Sequence, residues 1–296
     1  MEFPSAGTTL RGRLYGPAGG TPWPAVVMAH GFSATITGMV ADRYAEAIAR
    51  GGMTVLLFDH RGFGLSGGEP RQVLNAWDQA IGYRDALTHV ATCPGVDPAR
   101  LGVWGDSMSG SVALCVAGLD PRVRAVVAQV PACGSAAPPA DPDASGFAAL
   151  SRLYLAGGPT AAPRERIGPQ PVVSPDQQAA PSLLTPLTAF RWFSRYGRRR
   201  GTGWRNWATL EIPDSPVPLQ AGTCAPHLRA ASLWAIAADD EMPGADPEVA
   251  RRAFEGARGP KELLDLEGGH FGLLEYPGEI FERASAAQVD FLRRRL

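Results

Sequence analysis

The sequence predicts an α/β fold with a mostly parallel central sheet, helices on both faces and an inserted lid, and three observations lead there. Short apolar runs alternate with stretches of helical spacing between residues 25 and 130, the pattern of strands buried on both faces and joined by crossover helices. The alternation resumes after residue 231. Residues 132–231 between the two halves have a different character, which divides the chain into 1–131 and 232–296 as two parts of one core with 132–231 as a lid or cap insertion.

Taken in order, residues 25–29 and 54–58 read as buried strands, with small or apolar residues at helical spacing over 40–50 between them. A helix is expected over 76–89, a strand over 101–104, a helix over 110–117 and a strand over 123–130. In the second half, 232–237 and 262–266 read as strands and 277–294 as a closing helix. The insertion begins with a stretch rich in alanine, proline and glycine, continues through proline-punctuated residues 160–182, and then becomes aromatic, with Phe190, Trp192, Phe193, Tyr196, Trp204 and Trp207. It is read as a lid over the carboxyl edge of the sheet; the alternative is a surface excursion whose aromatics build a small core of their own.

Composition excludes several classes. With 28 basic and 29 acidic residues the net charge is −1, so no broad electropositive surface points to nucleic acid. The Arg198-Arg199-Arg200 and Arg293-Arg294-Arg295 runs read as solvated faces. Cys93, Cys115, Cys133 and Cys224 are dispersed without Cys-x-x-Cys spacing and do not call for an oxidising compartment. No leader-like or membrane-length apolar segment is present, so a soluble, cytoplasmic protein is expected. The five histidines form no recognised metal spacing, and the glycine-rich runs lack a phosphate-loop or dinucleotide fingerprint, so neither metal nor cofactor is expected.

The chemistry centres on Gly105-Asp106-Ser107-Met108-Ser109-Gly110, set between a strand-like and a helix-like run. A serine at such a turn is lifted out of the sheet toward a substrate. Ser109 stands where the usual pattern has glycine, the glycine being displaced to Gly110. Asp106 is expected to point away from the substrate, toward the start of the helix as a cap. A base must follow, and His270, in the glycine-flanked segment Gly268-Gly269-His270-Phe271-Gly272 after a strand, fits best. His30 and His60 also follow strands but precede the serine, while His89 and His227 read as surface residues. Asp239 or Asp240, directly after the 232–237 strand, supplies the acid between nucleophile and base. Asp59 and Arg61 read as stabilising the loop after the 54–58 strand.

These segments also resemble the α/β-hydrolase superfamily, particularly its dienelactone-hydrolase-like, peptidase S15-like and fungal polyketide-transferase-like branch. The resemblance runs through His30-Gly31-Phe32, Asp59-His60-Arg61-Gly62, Trp104-Gly105-Asp106-Ser107-Met108-Ser109-Gly110 and Gly268-Gly269-His270-Phe271, covering most of residues 20–135 and 230–296. It implies the α/β-hydrolase fold, Ser107 as nucleophile, His270 as base and Asp240 as acid, with Asp239 as fallback, and an oxyanion hole from the backbone N–H groups of Phe32 and Met108. In that branch serine is common at the position of Ser109.

The function expected is a serine-dependent hydrolase of an ester or thioester, with an apolar or polyketide-like acyl group passing through an acyl-enzyme. Trp192, Phe193 and Trp204 are candidates for the substrate pocket. An acyltransferase, cyclase or lactonising thioesterase of secondary metabolism would use the same triad, as would carbon–carbon bond hydrolysis. A non-catalytic interaction protein on this fold is the remaining alternative. The expected partner is a small-molecule acyl substrate, with neither nucleic acid nor membrane, and a homodimer is left open.

Overall fold

Strands with no polar face form the centre of the sheet. In the computed structural model, which describes residues 1–17, 22–139, 141 and 143–296, the chain runs β1 (Glu2–Ser5), β2 (Thr8–Tyr15), β3 (Trp23–Ala29), α1 (Ala41–Arg50), β4 (Thr54–Phe58), β5 (Val73–Leu74), α2 (Ala76–Val90), β6 (Val96–Asp106), α3 (Ser107–Leu119) and β7 (Val123–Gln129). It continues through α4 (Ser145–Ala156), β8 (Glu165–Gln170), α5 (Leu187–Tyr196), β9 (Ala208–Ile212), α6 (Ala221–Cys224), β10 (Ala231–Ala237), α7 (Pro247–Gly256), β11 (Lys261–Leu266) and α8 (Glu279–Arg295).

The main sheet has eight strands in the order β1-β2-β4-β3-β6-β7-β10-β11. Strand β2 runs antiparallel to both its neighbours, and every pair from β4 to β11 is parallel. Alternate residues of one strand enter different cores: Val27 and Ala29 of β3 pack with α2 and α3, whereas Val26 and Met28 pack with α1 and α8. Helix α1 turns only Ala41, Tyr44, Ala45 and Ile48 inward together with Asp42. Helix α3 is instead buried continuously from Ser109 to Ala117, as an all-round apolar helix must be.

Strand β3 lies between β4 and β6, so the direction of strand addition reverses there. A crevice opens at such a point, outside the carboxyl ends of the strands. The loop after β3 and the first residue of α3 both face it.

The insertion is stitched to the core. Strand β9 pairs with β5 of the first half, Thr209 against Val73 and Leu210 against Leu74, in a second sheet of order β5-β9-β8. Helix α4 packs on the α2 and α3 side through Leu150 and Tyr154, whose hydroxyl lies 3.1 Å from Asp120 Oδ2. Helix α5 buries Ala189, Trp192, Phe193 and Tyr196 in the opposite core, with Val26 and Met28. The aromatic segment thus joins the core of the main sheet rather than forming a private one. Among the described residues, no helix is long and apolar enough to cross a membrane.

Candidate active site

Strand β6 passes into α3 without an intervening loop, and Ser107 takes φ of 55° at the junction. That left-handed backbone is costly for a residue with a Cβ. A Cβ at Gly105 would come within 2.2 Å of the Ser109 carbonyl oxygen, so the turn closes only around glycine. The result is a nucleophile elbow with its serine at the mouth of the crevice.

His270 follows β11 and Asp240 follows β10. Asp240 Oδ2 lies 2.7 Å from His270 Nδ1, with the two side chains 3% and 2% exposed. That contact takes the proton on Nδ1 and leaves Nε2 free to act as a base. Asp239 does not join them; its amide donates to Gly268 O at 3.0 Å and its side chain lines an outer cleft with Thr188 and Arg191. Glu241, which sequence reasoning did not single out, accepts the His270 amide at 3.0 Å and the Thr188 hydroxyl from α5. Burial of this carboxyl opposes ionisation, yet those donors hold its pKa below the ordinary glutamate value.

Ser107 and His270 open onto one cavity of about 290 Å³. Gly31, Phe32 and Met108 edge it, and the amides of Phe32 and Met108 donate to no other described residue. Leu183, Leu184, Trp192, Phe193, Leu210 and Phe271 supply much of the apolar wall. Trp204 stands one layer back, stacked on Phe193 with ring centroids 5.2 Å apart. Among the described residues no lysine or arginine reaches the lining, and the one carboxylate there, Asp106, is paired with His30.

A second serine–histidine contact lies beneath the cavity. His60 Nε2 is 2.7 Å from Ser109 Oγ, but Ser109 is completely buried and His60 Nδ1 has no partner among the described residues. Burial pushes the His60 pKa down to about 3, so the ring is neutral and donates from Nε2. This pair lacks both substrate access and an orienting acid. It is a strut.

Asp106 corrects an expectation. It occupies the cap position of α3 but makes no side-chain cap bond. Instead Oδ2 lies 3.1 Å from His30 Nδ1 and Oδ1 accepts the Gly31 amide at 3.1 Å. His30 Nε2 meets the Met39 carbonyl. Although burial opposes a charge on His30, the Asp106 carboxylate raises its pKa, and a ring carrying both protons would donate to both partners. The Gly31 amide also lies 2.9 Å from His30 Nδ1, a contact open only to the unprotonated nitrogen. Asp59 behaves as read from sequence, its two oxygens accepting the amides of Ile36 at 2.9 Å and Leu65 at 2.8 Å.

Comparison with known proteins gives consistent relatives. Residues 20–183, more than half of the chain, match the family described as serine aminopeptidase, S33. The thiohydrolase aneE of Aspergillus aculeatus is 45% identical over 126 residues, 42% of this chain and 38% of that protein. The polyketide transferase grgF of Penicillium sp. is 38% identical over 140 residues, 47% of each chain. The chain thus spans less than half the length of these curated relatives. The quorum-quenching protein AidA of Acinetobacter baumannii is 29% identical across 99% of this chain and 94% of its own. The crystal structure of the α/β-hydrolase GrgF from Penicillium sp. sh18 superposes with a TM-score of 0.73 at 26% identity, covering 100% of this chain and 97% of that one.

Proposed function

Because this chain belongs to the serine aminopeptidase S33 family of the α/β-hydrolase superfamily, we propose that it is a serine-dependent hydrolase of esters or thioesters, with Ser107, His270 and Asp240 as its triad. The observation that carries the reading is the opening of Ser107 and the Asp240–His270 pair onto one apolar cavity. His270 Nε2 takes the proton as Ser107 Oγ attacks the acyl carbonyl. The oxygen that gains charge is met by the amides of Phe32 and Met108, donors worth a few kcal/mol each in such a site. Collapse expels the alcohol or thiol, which receives the proton from His270, and leaves the acyl group on Ser107. Water, deprotonated by the same histidine, releases the acid.

The wall of leucine and aromatic side chains, without a free charge, suits an apolar or polyketide-like acyl group. At about 290 Å³ the cavity is at the small end of ligand pockets, which run from about 300 to 1,000 Å³. A long acyl chain must therefore reach past its mouth. The likeness to a thiohydrolase supports a thioester, and the likeness to a polyketide transferase supports a second reading in which a hydroxyl or amine replaces water. The insertion, proposed to run over 132–231, shapes that choice by excluding water. Four free thiols fit the proposed cytoplasmic setting.

A fluorophosphonate probe tests the reading. Adduct mass on Ser107, absent in Ser107→Ala and at least about a thousandfold slower to form in His270→Ala, is the expected result. Unchanged labelling of Ser107→Ala overturns it.

A further inference from the structure

Two residues of the elbow, on either side of Ser107, converge on a single peptide group. Ser109 Oγ donates to the His30 carbonyl at 2.7 Å and is itself held by His60 Nε2 at 2.7 Å, with Gln79 Oε1 at 3.3 Å as the weaker acceptor. Asp106 Oδ1 accepts the Gly31 N–H at 3.1 Å, while Oδ2 holds the His30 ring. The C=O and N–H of the His30–Gly31 peptide are therefore both tied to the strand-to-helix turn that presents Ser107. The next peptide carries the Phe32 N–H, and only Gly31 separates the two planes. Glycine is required there, because a Cβ would come 2.8 Å from the Asp106 carbonyl oxygen and 2.9 Å from Oδ2. Glycine also leaves that joint free to rotate.

We propose that Asp106 and Ser109 are positioning residues that lock the His30–Gly31 peptide and so aim the Phe32 N–H at the oxygen of the tetrahedral intermediate on Ser107. The inference rests on the triad assigned above. It gives the serine at position 109 a task that glycine cannot perform. Nucleophile and oxyanion donor become one rigid unit, since the residues that flank the first also hold the second. Preorganised donors of this kind act because they need no reorientation as charge develops.

The test compares an acyl trifluoromethyl ketone, whose adduct with Ser107 carries an oxyanion, with the matching secondary alcohol, which fills the cavity without one. Ser109→Ala, whose side chain lies outside the cavity lining, is expected to weaken the ketone by about tenfold or more while leaving the alcohol within about twofold, and Asp106→Ala, which alters the lining, to weaken the ketone by about tenfold more than it weakens the alcohol; both are checked for folding by thermal melting. Asp106→Asn keeps an oxygen for the Gly31 amide and should retain more ketone affinity than Asp106→Ala. A folded variant of either residue that binds the ketone as tightly as wild type, or loses both ligands in proportion, overturns the clamp. A wild-type protein that forms no Ser107 adduct with the ketone overturns the serine reading on which the clamp depends.

Discussion

Glu241 grips the backbone of His270, its Oε2 accepting that amide at 3.0 Å, one residue beyond the aspartate that holds the imidazole. Its other oxygen takes the Thr188 hydroxyl in the first turn of α5. The same helix is tied to the loop after His270 by Trp192 Nε1 donating to Leu274 O at 2.9 Å and by the Tyr276 amide donating to Tyr196 OH at 2.9 Å. The wall of the cavity and the His270 loop are thus one mechanical unit, so α5 is not a free flap.

Removing that grip should therefore impair chemistry more than binding. Glu241→Ala is expected to lower kcat by up to about tenfold with little change in KM, the size of a lost charge-assisted hydrogen bond. Thr188→Val should act in the same direction and less. Steady-state kinetics on a simple thioester would decide, and a rise in KM at constant kcat would show that Glu241 serves the cavity wall alone.

Ser107 sits in a strained conformation only glycine adopts freely. Ser107→Gly and Ser107→Ala should both abolish phosphonate labelling, but the glycine variant should melt at the higher temperature. Relief of the left-handed backbone is worth about 1 kcal/mol net of glycine's own entropy cost. Equal melting temperatures would mean that the elbow stores no strain.

The legible part of this molecule is the part with one physical cause. Strands β3, β4, β6, β7 and β10 have neighbours on both sides, so their apolar runs stand out in sequence, whereas β11 is a half-exposed edge strand legible through Leu263, Leu264 and Leu266. Strands β1 and β2, at the sheet's edge, mix exposed and buried positions, and β8 is partly exposed along its length. Helix α7 announced itself through Asp246 before Pro247, whose carboxylate accepts the Glu248 amide at 2.8 Å, and that signal went unread. That Ser107 and His270 meet at one cavity could be anticipated from sequence because each sits just past a strand. Position after the 232–237 strand left Asp239 and Asp240 equal, and only the family resemblance favoured Asp240, because the direction of each side chain distinguishes them and spacing does not carry it. Asp106 was misread because its partner, His30, lies 76 residues away.

Leu183 lines the cavity yet is only partly buried, so its size can change with little damage to the fold. Leu183→Ala should move the acyl optimum toward longer chains, and Leu183→Trp toward shorter ones. One methylene in an apolar pocket changes kcat/KM by about 10- to 200-fold at most. A ladder of straight-chain thioesters would reveal the shift, and an unchanged optimum in both variants would place the acyl group elsewhere.

His60 should also govern acid stability. Its pKa falls from 6.5 to about 3 on burial, so between those values the unfolded chain binds more protons than the folded one, and stability is lost as pH falls through that window. Asp59 next to it has the opposite sign: burial raises it from 3.8 to about 6, so the folded protein binds more protons there and gains stability on acidification. His60 has the larger displacement and begins to act at higher pH, so the pair together should destabilise the protein below pH 6.5. His60→Gln keeps a donor for Ser109 and removes the titration. Its unfolding free energy, measured by urea at pH 7 and pH 5, should lose about 2 kcal/mol less on acidification than that of the wild type, because the displacement spans roughly 1.5 pH units of that interval. Carboxylates common to both proteins cancel in this difference. Parallel pH profiles would show that burial leaves the His60 pKa undisplaced, so that Ser109 would be held by an imidazolium below about pH 6.5.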